Sequence, residues 1–195
     1  LRESEKNLSQ GQALAHVGNW TLKPETSEVG GSDELFRIFG LGQDGATLDA
    51  FAGVVHPDER EYVLSHIRRA IEEGSTYDIE HRLVCEDGTE KTIHAIGEAV
   101  VDGTGKTVLL RGIVQDITER KRAQEALLNS EQHLNAFFDA STAALLVLKD
   151  HLQYVKINES MAEMNGVPLG SHLYKTIREV VTEFSTPSQQ PFRAH

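Results

Sequence analysis

A short helical connector occurs twice in this chain, and that repeat constrains everything between its copies. Leu1-Arg2-Glu3-Ser4-Glu5-Lys6-Asn7-Leu8 returns as Leu127-Leu128-Asn129-Ser130-Glu131-Gln132-His133-Leu134, with Leu, Ser, Glu and Leu at the same four places. Repeats at a fixed offset set an architecture before any local reading begins. Here they bracket one unit of domain size, which must fold between the connectors and hand over to a helix.

The second connector shows how that hand-over is built. Thr118 can cap a helix running from Glu119, because a hydroxyl accepts from a free first-turn amide. The seam Ala123, Leu127, Ser130, Leu134, Phe137 advances in steps of four and three, which is heptad spacing. The first connector has the matching seam Leu1, Ser4, Leu8. A stripe this narrow suits two copies of the helix lying side by side, so a homodimer through the connector helices is expected. The alternative is one amphipathic helix packed on its own domain.

Between the connectors the order of elements is two strands, several helices, then three strands. Gly18-Asn19-Trp20-Thr21-Leu22 alternates, and Lys23-Pro24-Glu25-Thr26 turns the chain back. Ser32 caps a short helix, Asp33 to Phe39, which Gly40 ends. Leu48, Phe51 and Val55 form a second short stripe. His56-Pro57-Asp58-Glu59 opens a longer helix with Val63, Ile67, Ala70 and Ile71 on one face, stopped by Gly74. Tyr77 to Glu86, Lys91 to Val101 and Thr107 to Ile117 read as strands, separated by Asp87-Gly88 and Asp102-Gly103-Thr104-Gly105. Helices in that order cannot all be crossovers of a wound parallel sheet. The reading is an α+β fold, a five-stranded antiparallel sheet with helices on one face.

The hairpin at Asp87-Gly88 fixes a register. A two-residue loop would set His81 opposite His94 and put the apolar residues of the two strands on opposite faces. A three-residue loop, Glu86-Asp87-Gly88, sets Ile79 opposite Ala95 and His81 opposite Ile93. Both apolar sets then share a face, which is the arrangement a half-buried sheet demands. His81 points inward, His94 and Glu80 outward, and no metal can join the two histidines. In the last strand Leu110, Gly112, Val114 and Asp116 face in, and Gly112 leaves room above the sheet.

Several of these segments resemble the PAS family of sensor domains. Asp116-Ile117-Thr118-Glu119-Arg120-Lys121 is similar to that family's closing motif, where the last strand meets a signalling helix. Ser32 to Gly40 resembles its early helix, His56-Pro57-Asp58-Glu59 the start of its long helix, and Glu80-His81-Arg82-Leu83 with Glu86-Asp87-Gly88 its third strand and turn. Gly31 and Thr92 depart from the pattern, standing where relatives often carry aromatic residues. Residues 137 to 170 resemble the first part of a second copy, with Leu145 to Leu148 and Leu152 to Val155 as strands and Asn158 to Gly166 as the early helix. The implied organisation is a connector at 1–17, a PAS sensor domain at 18–118, a linker helix at 119–136 and a partial second PAS-like unit at 137–195.

The resemblance implies a regulatory piece of a longer protein whose output is a histidine kinase or a diguanylate cyclase. It implies a pocket for a small ligand, with Trp20, Phe36, Phe39, His81, Gly112 and Val114 as candidate wall residues and Asp116, Ile117 and Thr118 as the coupling joint. The rival readings are a ligand-free dimerisation scaffold and an enzyme. No catalytic constellation or glycine-rich phosphate loop is visible. Haem would need an axial histidine, for which His66 on the long helix is the candidate. Photochemical flavin binding would need a cysteine in a helical motif, which Cys85 lacks. Net charge −11 disfavours nucleic acid. No run approaches the roughly 20 apolar residues of a membrane span, and the single thiol suits a reducing compartment, so a cytoplasmic location is expected.

Overall fold

The computed structural model describes residues 10–184. The first connector's seam at Leu1, Ser4 and Leu8 and the tail from residue 185 lie outside the described residues. The chain divides at Gln124 into two compact units, taken here in turn.

In the first unit, helix α1 (residues 10–15) precedes strands β1 (Val17–Lys23) and β2 (Glu28–Gly31). Three α-helices follow, α2 (Asp33–Phe39), α3 (Leu48–Val54) and α4 (Arg60–Glu73). Ser32 caps α2 by accepting from the Leu35 amide, Asp33 and Glu34 occupy its first turn, and Gly40 ends it. His56-Pro57-Asp58-Glu59 does not open α4 directly. Pro57–Glu59 form a 3-10 turn, and α4 starts at Arg60. The reason lies in the side chains. His56 Nδ1 accepts from the Asp58 amide at 3.3 Å, and Glu59 is turned toward Arg82. Arg60 then caps the end of α3, donating to the carbonyls of Ala52, Gly53 and Val55.

Strands β3 (Thr76–Val84), β4 (Glu90–Val101) and β5 (Thr107–Asp116) complete an antiparallel sheet of order β2-β1-β5-β4-β3. Ile79 pairs with Ala95, His81 with Ile93 and Glu80 with His94, the register that the apolar pattern requires. Beyond the strand ends the Cys85 amide donates to the Thr89 carbonyl, which leaves Glu86-Asp87-Gly88 as a three-residue turn, and Gly88 takes φ +79 as that turn needs. The core lies between the sheet's inner face and the helices. Leu22, Ile79, Leu83, Ile93, Leu110 and Val114 come from strands, and Leu35, Phe51, Val63, Ile67 and Ala70 from helices.

Helix α5 (Thr118–Ala140) follows. It continues to Ala140, since Phe137-Phe138-Asp139-Ala140 contains no helix breaker. None of its residues is buried, and Leu127, Leu134 and Phe137 are 62%, 65% and 71% exposed.

The second unit contains the hairpin β6 (Leu146–Lys149) and β7 (Gln153–Ile157), helix α6 (Glu159–Asn165) and helix α7 (Ile177–Phe184). Tyr154, Ile157, Met161, Ala162, Val167 and Val180 form its core. The buried Asn158 holds the entry to α6. Its Oδ1 accepts from Leu145 and Met161, and its Nδ2 donates to the carbonyls of Ser141 and Ala143.

Candidate functional site

Alternation along β3 turns Tyr77, Ile79, His81 and Leu83 inward. There the sheet and helices α2, α3 and α4 enclose a cavity of about 70 Å³. Leu22, Ile79, Ala95 and Val114 form its floor, and Phe39, Phe51, Val63 and Ile67 its roof. Trp20, Tyr77 and His81 are the wall residues that bring a polar side-chain atom.

His81 is 5% exposed, and its Nδ1 has no hydrogen-bond partner among the described residues. Such groups are uncommon, because burying an unpaired polar atom is costly. Desolvation lowers the imidazole's pKa to about 4, against a smaller opposing pull from the Glu59 carboxylate. The ring is therefore neutral near pH 7. Glu59 itself accepts from the Arg82 amide at 2.6 Å and from Arg82 Nε at 2.7 Å. Burial pushes its carboxyl up, but the Arg82 amide and guanidinium together hold it below the usual range. This pair fixes β3 against the start of α4.

The structure separates the candidate wall residues. Trp20, Phe39, His81 and Val114 face the cavity. Phe36 does not; it is buried beside the wall, with its ring edge-on to Phe51 at 6.0 Å. Gly112 does not either. A Cβ there would lie 2.7 Å from the Trp20 ring and 1.9 Å from the Ile96 carbonyl oxygen. The room that its missing side chain leaves is taken by the indole of the neighbouring strand.

Neither His66 nor Cys85 lies on the cavity wall. The His66 ring packs on Tyr62 at 4.4 Å, with Nδ1 within 2.9 Å of the Tyr62 carbonyl, and is not part of the cavity wall. Cys85 sits in the β3–β4 loop and is likewise absent from the wall. The cavity is also far smaller than the roughly 300–1,000 Å³ of larger ligand sites. His94 lies on the outer face, 2.5 Å from Asp78, so it shares no site with His81. Among the described residues no group of three or more His, Cys, Asp or Glu is placed to hold a metal.

The joint between β5 and α5 is closely bonded. The Thr118 hydroxyl accepts from the Thr92 amide of β4 at 2.9 Å and donates to Asp116 Oδ1 at 2.5 Å. The Thr118 amide donates to the same carboxylate oxygen at 2.9 Å. Asp116, not Thr118, thus supplies the capping oxygen, and the Thr118 hydroxyl is committed to the sheet. The Ile117 amide donates to the Thr92 carbonyl. One turn on, Lys121 Nζ lies 2.6 Å and Arg120 Nη2 3.7 Å from Glu80 of β3. The hydrogen bond from Lys121 holds the Glu80 carboxyl below its usual range. Sequence reasoning missed Glu80 here, since Glu119-Arg120-Lys121-Arg122 reads as a solvated face. It also missed Glu59–Arg82, whose partners are 23 residues apart.

An antiparallel sheet cupping a small apolar cavity, with its last strand bonded into a projecting helix, defines a sensor-type domain. Residues 28–114 match the PAS fold family, and this part of the chain is a PAS domain. The sensor protein FixL of Bradyrhizobium diazoefficiens is 33% identical over 136 residues, 69% of this chain and 27% of that protein. A blue-light-activated histidine kinase of Brucella ovis is 32% identical over 131 residues, 66% of this chain and 26% of that protein. A crystal structure of a sensory box histidine kinase/response regulator from Burkholderia thailandensis aligns with TM-score 0.52 and 27% identity, covering 66% of this chain and 98% of that one. The chain is a sensory signalling module. It spans about a quarter of the length of these two curated relatives. Among the described residues no helix is long and apolar enough to cross a membrane.

Proposed function

We propose that this chain senses a small molecule in the His81 cavity and relays occupancy through Asp116, Ile117 and Thr118 to α5, which controls an output domain elsewhere in a longer cytoplasmic protein. The observation that carries this reading is the joint. Thr118 and Asp116 bind the first turn of α5 to β4 and β5, while Ala95 of β4 and Val114 of β5 face the cavity. A shift of either strand therefore moves the base of the helix. A ligand drives such a shift only through unequal affinity for the two states.

The exposed stripe of Leu127, Leu134 and Phe137 supports a homodimer in which two α5 helices pair and can rotate or splay. The relatives' names favour a histidine kinase as output. The module itself does no chemistry in this scheme. The test is Thr118→Val, read by amide hydrogen exchange across α5 in the whole chain. The substitution should raise exchange in the first turn of α5 and uncouple it from exchange in β4. If exchange in α5 is unchanged, the relay does not run through this joint.

A further inference from the structure

Starting from the sensing role proposed above, we infer that the cavity takes a compact, uncharged molecule with one hydrogen-bonding group, anchored on His81, in place of a haem or a flavin. Three observations support this. The first is size. A cavity of about 150 Å³ holds benzene, so 70 Å³ holds a ligand of about three heavy atoms. The second is chemistry. Leu22, Ile79, Phe51 and Val63 give the ligand apolar surroundings, which penalise a net charge.

The third is the orphaned imidazole. His81 is 95% buried on the cavity wall, yet its Nδ1 meets no protein group among the described residues. A neutral imidazole carries one donor and one acceptor nitrogen, so it can serve a hydroxyl or an amide. Glu59 makes no hydrogen bond to Nδ1; its two carboxylate oxygens accept from Arg82 instead. An apolar ligand alone would leave the imidazole without a partner. A ligand with one well-placed polar atom satisfies it while filling the space.

Ethanol and propane test this directly, since they share a shape and differ by one hydroxyl. Titrated into the whole chain and followed by methyl NMR signals of Ile79, Ala95 and Val114, ethanol should bind about tenfold more tightly than propane, the worth of one buried hydrogen bond. His81→Leu should abolish that preference while keeping propane binding. Equal binding of the two by the unsubstituted chain, no binding of either, or a preference that survives His81→Leu would each overturn the inference. The wild-type comparison stands even if the variant fails to fold. Ethanol binding that leaves hydrogen exchange in the first turn of α5 unchanged would count against the relay and not against the site. Failure of ethanol to bind, with Thr118→Val still raising exchange in α5, would do the reverse.

Discussion

Replacing His81 by Leu should change how the stability of the sensor domain depends on pH. The imidazole has an ordinary pKa of 6.5 and sits near 4 in the folded domain, because burial penalises its charged form. Below about pH 6.5 the unfolded chain takes up a proton that the folded domain refuses. Stability therefore falls as pH drops through 6.5, and the loss is complete below about 4. Between about pH 7.5 and pH 5 this single group should remove about 2 kcal/mol. The Glu59 carboxylate opposes the shift and makes the figure smaller rather than larger. Urea unfolding measures the effect, followed by the fluorescence of Trp20, which is the sole tryptophan and lies in this domain. His81→Leu should unfold with about 2 kcal/mol less sensitivity to that pH change. It should also be more stable near pH 7.5 by about 1–3 kcal/mol, since an unpaired buried polar group has been removed. If the two proteins lose stability in parallel on acidification, His81 is not held neutral by burial and the reasoning fails.

Other substitutions test other parts of the structure. Gly112→Ala should destabilise the first unit by about 3 kcal/mol or more in urea unfolding, because its Cβ meets the Ile96 carbonyl oxygen and the Trp20 ring. Where two α5 helices pair as proposed, Leu134→Asp should shift the chain toward monomer in analytical ultracentrifugation with little change in the circular dichroism of the first unit, since Leu134 is exposed on α5. Asn158→Ala should cost about 2–4 kcal/mol in the second unit, with its circular dichroism signal melting first, because four amide hydrogen bonds disappear at a buried site.

The parts of this fold that sequence could reveal were those set by repeating patterns. The register of β3 on β4 follows from requiring Ile79, Leu83, Ile93 and Ala95 to share a face, and the same step turns His81 in and His94 out. Caps and stops at Ser32, Gly40 and Gly74 carry their own local chemistry and needed no tertiary information. The cavity wall was harder to read, because it depends on which side chain crosses from the next strand. Gly112 offered space on its own strand, and Trp20, its cross-strand partner, filled it. Phe36 was correctly apolar and buried, yet a helix face has a front and a side, and Phe39 is the residue on the cavity. Charge pairs such as Glu59–Arg82 and Glu80–Lys121 leave no periodic trace in a chain with 30 acidic and 19 basic residues.

Thr92 bears on how such a module can diversify. Both of its contributions to the joint are main-chain atoms, an amide given to Thr118 and a carbonyl offered to Ile117. Its own side chain takes no part in those two bonds. An aromatic residue at this place would keep the same two bonds. Position 92 is thus anatomically indispensable and chemically free. Evolution can repaint that part of the outer surface for a new neighbour without breaking the strand-to-helix joint behind it, whereas at 116 and 118 the side chains themselves make the bonds.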